Sequence, residues 1–196
     1  MERELYEQFL TILKEELIPA GGCTEPIAIA YAAAVARKTL GCQPGHMDVY
    51  ASGNLIKNAK AVYIPNGGTL RGVDAAAVLG ALGGDADRAL EVLLDLPDGV
   101  LEQTQALLQQ GYCAVHVLRG MEALHLIVNV QADGQSAEVE LKNAHTHIVR
   151  VEKNGETVFR AGGSDTQDGL TDHSCLTVGR IVEFADTCRL ADIEPT

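Results

Sequence analysis

Residues 113–160 read CAVHVLRGMEALHLIVNVQADGQSAEVELKNAHTHIVRVEKNGETVFR, and this stretch decides the fold. Five short runs rich in Val, Ile and Leu lie within it: Cys113 to Leu118, Leu124 to Gln131, Ala137 to Leu141, Ile148 to Glu152 and Thr157 to Arg160. Each has the length and β-branched content of a strand. The joints Arg119-Gly120, Asp133-Gly134 and Asn154-Gly155 are turn signals, because Gly, Asn and Asp tolerate the left-handed backbone that tight hairpins need. The spacing predicts an antiparallel meander.

Working back toward residue 1, the pattern becomes helical. Leu5, Phe9, Ile12, Leu13 and Leu17 recur at helical spacing over residues 4–17, and Pro19-Ala-Gly-Gly ends the run. Ile27 to Leu40 is apolar almost throughout, which predicts a buried helix; Thr24 or Glu25 can cap it, Pro26 suits its first turn and Gly41 stops it. Met47 to Ala51 alternates as an isolated strand that Ser52-Gly53-Asn54 breaks, followed by a polar loop carrying Lys57, Asn58 and Lys60. Further helices are expected from about Gly72 to Leu82, from Asp85 or Asp87 to about Leu94, and from about Gly99 to Gln109. Beyond the strands, Ala161 to Asp172 reads as a linker or loop and Leu176 to Leu190 as a last helix. Helices and strands are segregated, so the class is α+β: an amino-terminal helical segment packed with a mostly antiparallel sheet, then a final helix. The organisation expected is a mainly helical part at 1–110, a strand region at 111–160 within the same domain, and a loop with a terminal helix at 161–196.

Composition narrows the partners. Of 196 residues 46% are hydrophobic and 21% charged, the balance of a folded chain. The net charge of -12 disfavours nucleic acid and anionic membranes, which need a basic face, and points to a small molecule or another protein. The longest apolar run, Ile27 to Val35, is too short for a bilayer, and the Met1-Glu2-Arg3-Glu4 start lacks a signal-peptide pattern, so the expected location is the cytoplasm. Five scattered cysteines spell no disulfide framework. Trp is absent, so Ala, Val, Leu and Ile must build the core, with close helix contacts through Ala and Gly.

Gly22-Cys23-Thr24-Glu25-Pro26 carries the sharpest chemical signal. It sets a thiol ahead of a buried helix, where free N–H groups and the helix dipole favour the thiolate, which is both a base and an iron ligand. The plain alternative is that Cys23 fills a tight turn. Glu25 is either a first-turn carboxylate favoured by the dipole or a group holding a substrate ammonium. Ser52-Gly53-Asn54 with Lys57-Asn58 offers donors suited to a carboxylate, or forms a solvated loop. Pro65-Asn66-Gly67-Gly68-Thr69 opens toward a helix without the ending of a phosphate loop, so a tight turn is the simpler reading. His145 and His147, two apart, share a side if extended.

Together, Gly22 to Pro26, Ser52 to Asn54 with Lys57-Asn58, Pro65 to Gly68, Gly72 with the Ala-rich run to Gly83-Gly84, and the stretch from His145 to Gly155 resemble the iron–sulfur-dependent L-cysteine desulfidase family, grouped with serine-dehydratase-alpha-like proteins. The chain looks like its amino-terminal portion. The resemblance implies a lyase that releases sulfide from L-cysteine to give pyruvate and ammonia without pyridoxal phosphate. A 4Fe-4S cluster would draw its further cysteines from a missing carboxy-terminal half or a separate chain, leaving this chain inactive alone. Cys23 and Glu25 would be catalytic, Cys23 as either cluster ligand or base. Thr24, Ser52, Asn54, Lys57, Asn58, Asn66, Gly67 and His145 would contact substrate. Cys42, Cys113, Cys175 and Cys188 match no motif of that family. Alternatives are an L-serine dehydratase-type deaminating lyase, or a non-catalytic subunit or small-molecule-binding protein. Either class could be a homo-oligomer.

Overall fold

The computed structural model describes residues 1–17, 19–120, 122–162 and 171–194. The chain divides into two compact units, Met1–Pro19 with Gly162–Thr196, and Ala20–Ala161. The expected linker at Ala161 to Asp172 falls largely on residues 163–170, outside the described residues. Among the described residues no helix is long and apolar enough to cross a membrane.

The first unit is helical: α1 (Arg3–Glu16), a 3-10 turn at His173–Cys175, α6 (Val178–Thr187) and α7 (Leu190–Ile193). Phe9, Leu10 and Ile12 of α1 bury against Cys175 and Phe184, and the Phe9 and Phe184 rings stack at 5.0 Å. The Glu15 carboxylate accepts from the backbone N–H of Thr171 at 2.9 Å and from its hydroxyl at 3.0 Å. The single last helix expected over Leu176 to Leu190 is two. Cys188 and Arg189 leave helical geometry between them, and the Arg189 backbone N–H donates to the Tyr6 hydroxyl instead.

The second unit is a helix layer on a six-stranded sheet. In chain order it holds α2 (Thr24–Leu40), β1 (His46–Ser52), α3 (Gly53–Ala59), α4 (Val73–Gly83), a 3-10 segment at Ala86–Glu91, α5 (Val100–Gln109), then β2 (Cys113–Leu118), β3 (His125–Ala132), β4 (Gln135–Lys142), β5 (Ile148–Lys153) and β6 (Glu156–Arg160). The sheet runs β2-β1-β3-β4-β5-β6. From β3 onward it is the expected meander. β1 is not isolated: it lies between β2 and β3, parallel to β2 with Met47 beside Cys113, and antiparallel to β3 with Met47 beside Val130. The segment expected as a helix from Asp85 or Asp87 tightens into 3-10 form, because Ala89 sits at φ 46, ψ -113 and interrupts an α-helix.

Alternation gives the sheet two unlike faces. Met47, Val49 and Ala51, then Leu126, Val128 and Val130, then Ala137, Val139 and Leu141 are fully buried under the helices. Their neighbours Asp48, Asn129, Glu138 and Glu140 share the opposite, polar face, as an antiparallel sheet covered on one side allows. There Arg150 donates to Glu138 at 2.7 Å, Glu140 at 3.0 Å and Glu152 at 2.5 Å.

Helix α2 is apolar over most of its surface because the sheet, α4 and the 3-10 segment cover it, and its charges come only at its ends, Glu25 in the first turn and Arg37 and exposed Lys38 in the last. The α2–α4 crossing is close enough to require glycine. A Cβ placed on Gly80 would lie 2.2 Å from the carbonyl oxygen of Ala30. This is how a core without Trp is filled: small residues bring helix backbones into contact.

Candidate functional site

Cys23 is the N-cap residue of α2, one place earlier than the caps expected, and it makes no side-chain cap bond. Its position is fixed from behind. Gly21 donates its backbone N–H to the Leu90 carbonyl at 3.1 Å, and Gly22 packs so tightly on Pro65 that a Cβ there would meet the ring at 2.7 Å. The Cys23 thiol donates to Oε2 of Glu25 at 3.3 Å, and the Thr24 hydroxyl reaches the same oxygen at 3.4 Å. The other oxygen, Oε1, accepts from the Asn58 side-chain amide at 3.1 Å. Asn58, 33 residues beyond Glu25, thus shares its half-buried carboxylate with Cys23 and Thr24.

The electrostatics reverse one expectation. Burial pushes the Cys23 thiol above its ordinary range, the Glu25 carboxylate pushes it further, and the backbone N–H of Glu25 only partly opposes them. The helix-start effect therefore exists but loses, and Cys23 stands as a thiol donor. For Glu25, burial works against the charge yet is outweighed by hydrogen bonds from Cys23, its own backbone N–H and Asn58, with a smaller contribution from the charge of His145. Its carboxyl is held below the usual range. The pair is a protonated thiol on a stabilised carboxylate.

The polar loop expected after Asn54 is helix α3. The Ser52 hydroxyl caps it by accepting from the Leu55 N–H at 3.4 Å, and Leu55 and Ala59 bury its inner side. Helical geometry puts Asn54, Lys57 and Asn58 on one face, since residues three and four apart are neighbours. Asn54 and Lys57 are exposed on that face while Asn58 reaches Glu25.

Other candidates are committed to the fold. Ser52 is buried, and its hydroxyl also donates to the Ala123 carbonyl at 2.8 Å. Asn66 takes a left-handed φ of 57° and donates its amide to the Leu93 carbonyl at 3.0 Å. Gly67 is buried and donates its N–H to Ile64 at 2.9 Å, closing the tight turn whose Pro65 supports Gly22. His145 and His147 are not extended. His145 lies in the turn between β4 and β5, whereas Nδ1 of His147 bonds the Lys142 carbonyl at 3.1 Å. Only His145 is felt at Glu25. Gly22 and Pro65, which place the thiol, had no local signal beyond the glycine pair and the proline turn.

The described residues do not fit an iron–sulfur cluster. The Cys23 thiol faces the Glu25 carboxylate, and among the described residues no three His, Cys, Asp or Glu side chains gather in a way that could hold a metal ion. All five thiols are free. Cys113 is half-buried at the start of β2, and its thiol is pushed up to about 12 by burial, with Asp74 and Asp48 adding to the shift.

With this geometry in hand, comparison with known proteins corrects the resemblance. No family model and no solved structure matches the chain. It is 44% identical to a UPF0597 protein of Lachnoclostridium phytofermentans over 191 residues, covering 97% of this chain and 46% of the relative. UPF0597 proteins of Treponema denticola and Desulfitobacterium hafniense are each 39% identical over 197 residues, again with 46% of the relative covered. The name states no reaction or substrate. The assignment as the amino-terminal portion of an L-cysteine desulfidase does not stand, because these relatives carry a different name and a match to 46% of their length does not make the chain an amino-terminal fragment. What the comparisons establish is that the chain is similar to UPF0597 proteins along nearly its whole length and spans about half the length of the curated relatives it matches.

Proposed function

We propose that the Cys23–Glu25–Asn58 cluster and the exposed face of α3 form part of a cytoplasmic lyase site for a small α-amino acid such as L-cysteine or L-serine. One observation carries the reading: a single carboxylate is oriented from two helices, through Cys23 at 3.3 Å and Asn58 at 3.1 Å, beside a helix face that presents Asn54 and Lys57. Glu25 takes the substrate ammonium, and Asn54 and Lys57 offer donors to its carboxylate. Cys23, once ionised, removes the α-proton. The C–H electron pair then forms the Cα–Cβ double bond, the β-substituent leaves with its own pair, and the resulting aminoacrylate hydrolyses to pyruvate and ammonia. No step is routed through an iron–sulfur cluster, since the described residues do not fit one. In this reading the remaining walls of the site come from sequence equivalent to the rest of the relatives' length, on the same or a separate chain.

Calorimetric titration with L-serine and L-cysteine, paired with anaerobic pyruvate release, tests it on this chain and on the full-length Lachnoclostridium phytofermentans relative. Binding by this chain that Glu25→Gln abolishes, with turnover in the longer protein, supports the lyase. Binding without turnover in either favours a small-molecule-binding or non-catalytic subunit. Absence of binding to both proteins refutes the site.

A further inference from the structure

We infer that Cys23 and Glu25 form a ligand-gated proton switch: an ammonium group arriving at Oε2 of Glu25 displaces the thiol from that oxygen and frees Cys23 to ionise at the start of α2. The inference deepens the proposed function and rests on it only for the identity of the ammonium-bearing ligand.

The geometry divides the carboxylate into two roles. Oε1 is held by Asn58 from α3 at 3.1 Å, while Oε2 holds the side chains of Cys23 at 3.3 Å and Thr24 at 3.4 Å. A cation can therefore take Oε2 without dislodging the group that orients Glu25. The charged group facing Cys23 is Glu25, on its own element; those acting on Glu25 are the Asn58 dipole from α3 and His145 from the turn between β4 and β5. In the arrangement seen, burial does most to keep the thiol protonated, and Glu25 adds to it both as acceptor and as a negative charge. An ammonium at Oε2 cancels that charge and removes the acceptor. The backbone N–H of Glu25 then acts on the sulfur without that opposition, and a positive charge stands beside it. The S–H bond breaks heterolytically, the pair stays on sulfur and the proton passes to water. Glu25 remains a carboxylate throughout, paired with the ammonium. The sulfur thus becomes basic when an ammonium ligand is present and stays a less oxidisable thiol when the site is empty.

Alkylation by iodoacetamide, resolved for Cys23 by peptide mass spectrometry, reads the thiolate directly. At pH 7.5, methylammonium chloride should raise the Cys23 rate about tenfold over sodium chloride of equal ionic strength, because a larger share of the sulfur is thiolate. Glu25→Gln should be as fast in sodium chloride alone and indifferent to methylammonium. Equal wild-type rates in the two salts overturn the switch, and this comparison needs no variant to fold. A Glu25→Gln protein that folds, by its circular dichroism, yet alkylates more slowly also overturns it. A response to methylammonium without one to L-serine upholds the switch and removes the amino-acid reading. Calorimetric binding of L-serine with unchanged alkylation does the reverse.

Discussion

Gly80→Ala sets two physical effects against each other, and the structure says which wins. In a helix interior Ala is favoured over Gly by about 1 kcal/mol, so propensity alone predicts stabilisation. The new Cβ, however, would lie 2.2, 2.5 and 2.6 Å from the oxygen, Cα and carbonyl carbon of Ala30, where ordinary contact begins at 3.4 Å. All three atoms are backbone, so no side chain can turn aside. Helices α2 and α4 must part by about 1 Å, loosening the buried contacts among Ala33, Ala34, Ala76 and Ala77. Overpacking of this kind costs about 3 kcal/mol, the upper end of its usual range. The net loss expected is about 2 kcal/mol, or a Tm lower by roughly 4–8 °C for a chain of this size. Urea unfolding followed by circular dichroism measures it. If Gly80→Ala equals or exceeds the wild type in stability, the α2–α4 crossing described above is wrong.

Ser52→Ala removes both a helix cap and a buried bond to Ala123, and should cost about 1–2 kcal/mol in the same urea assay; a change near zero would remove Ser52 as the anchor of α3. Arg150→Met strands Glu138, Glu140 and Glu152 and should destabilise by about 2 kcal/mol at pH 7. Burial opposes the charge on Glu140, but bonds from Lys142, His125 and Arg150 hold its carboxyl below the ordinary range, so its contribution is complete above about pH 4.3 and fades as the pH falls through the folded value. The loss caused by Arg150→Met should therefore shrink in acid, and a loss constant between pH 7 and pH 3 would contradict the pairing. Asn58→Ala follows the same sign, because Glu25 is also held low: about 1 kcal/mol at neutral pH after allowance for solvent, less near pH 3, read from paired urea midpoints. Among the thiols, exposed Cys42 should react with a disulfide reagent at pH 8 well ahead of half-buried Cys113, whose thiol is pushed up to about 12; equal rates would show that β2 is not packed as described.

Local pattern carried much of the fold. The apolar run to Leu40, the Ala-rich helix and the hairpins at Asp133-Gly134 and Asn154-Gly155 follow from periodicity and turn chemistry. The insertion of β1 between β2 and β3 does not. Its pairing with β2 joins Met47 to Cys113 across three intervening α-helices, and nothing within seven residues of strand encodes which partners they will find. Helix α3 was within reach of the sequence. Ser52 is a strong cap, and Leu55 and Ala59 stand four apart as an inner stripe; the polar residues between them, which suggested a loop, are the outer face of a single exposed helix.

The site shows why motif reading gives residues more readily than protonation states. Cys23 and Glu25 are adjacent enough for sequence to pair them, and the helix start rightly suggests N–H groups near the sulfur. The state of that sulfur is instead decided by how far it is removed from solvent where Gly22 packs on Pro65, and by whether Asn58 arrives from α3 to hold the second oxygen of Glu25. Both are tertiary facts, and both act on the same proton. Depth makes ionisation costly, while the carboxylate fixed by Asn58 gives the proton an acceptor that does not remove it. A thiol preceding a helix is therefore not yet a thiolate. In the proposed switch the sulfur becomes reactive when a positive charge arrives at Glu25, the carboxylate that now accepts its proton, and that places the decisive chemistry of the motif in its occupant rather than in its sequence.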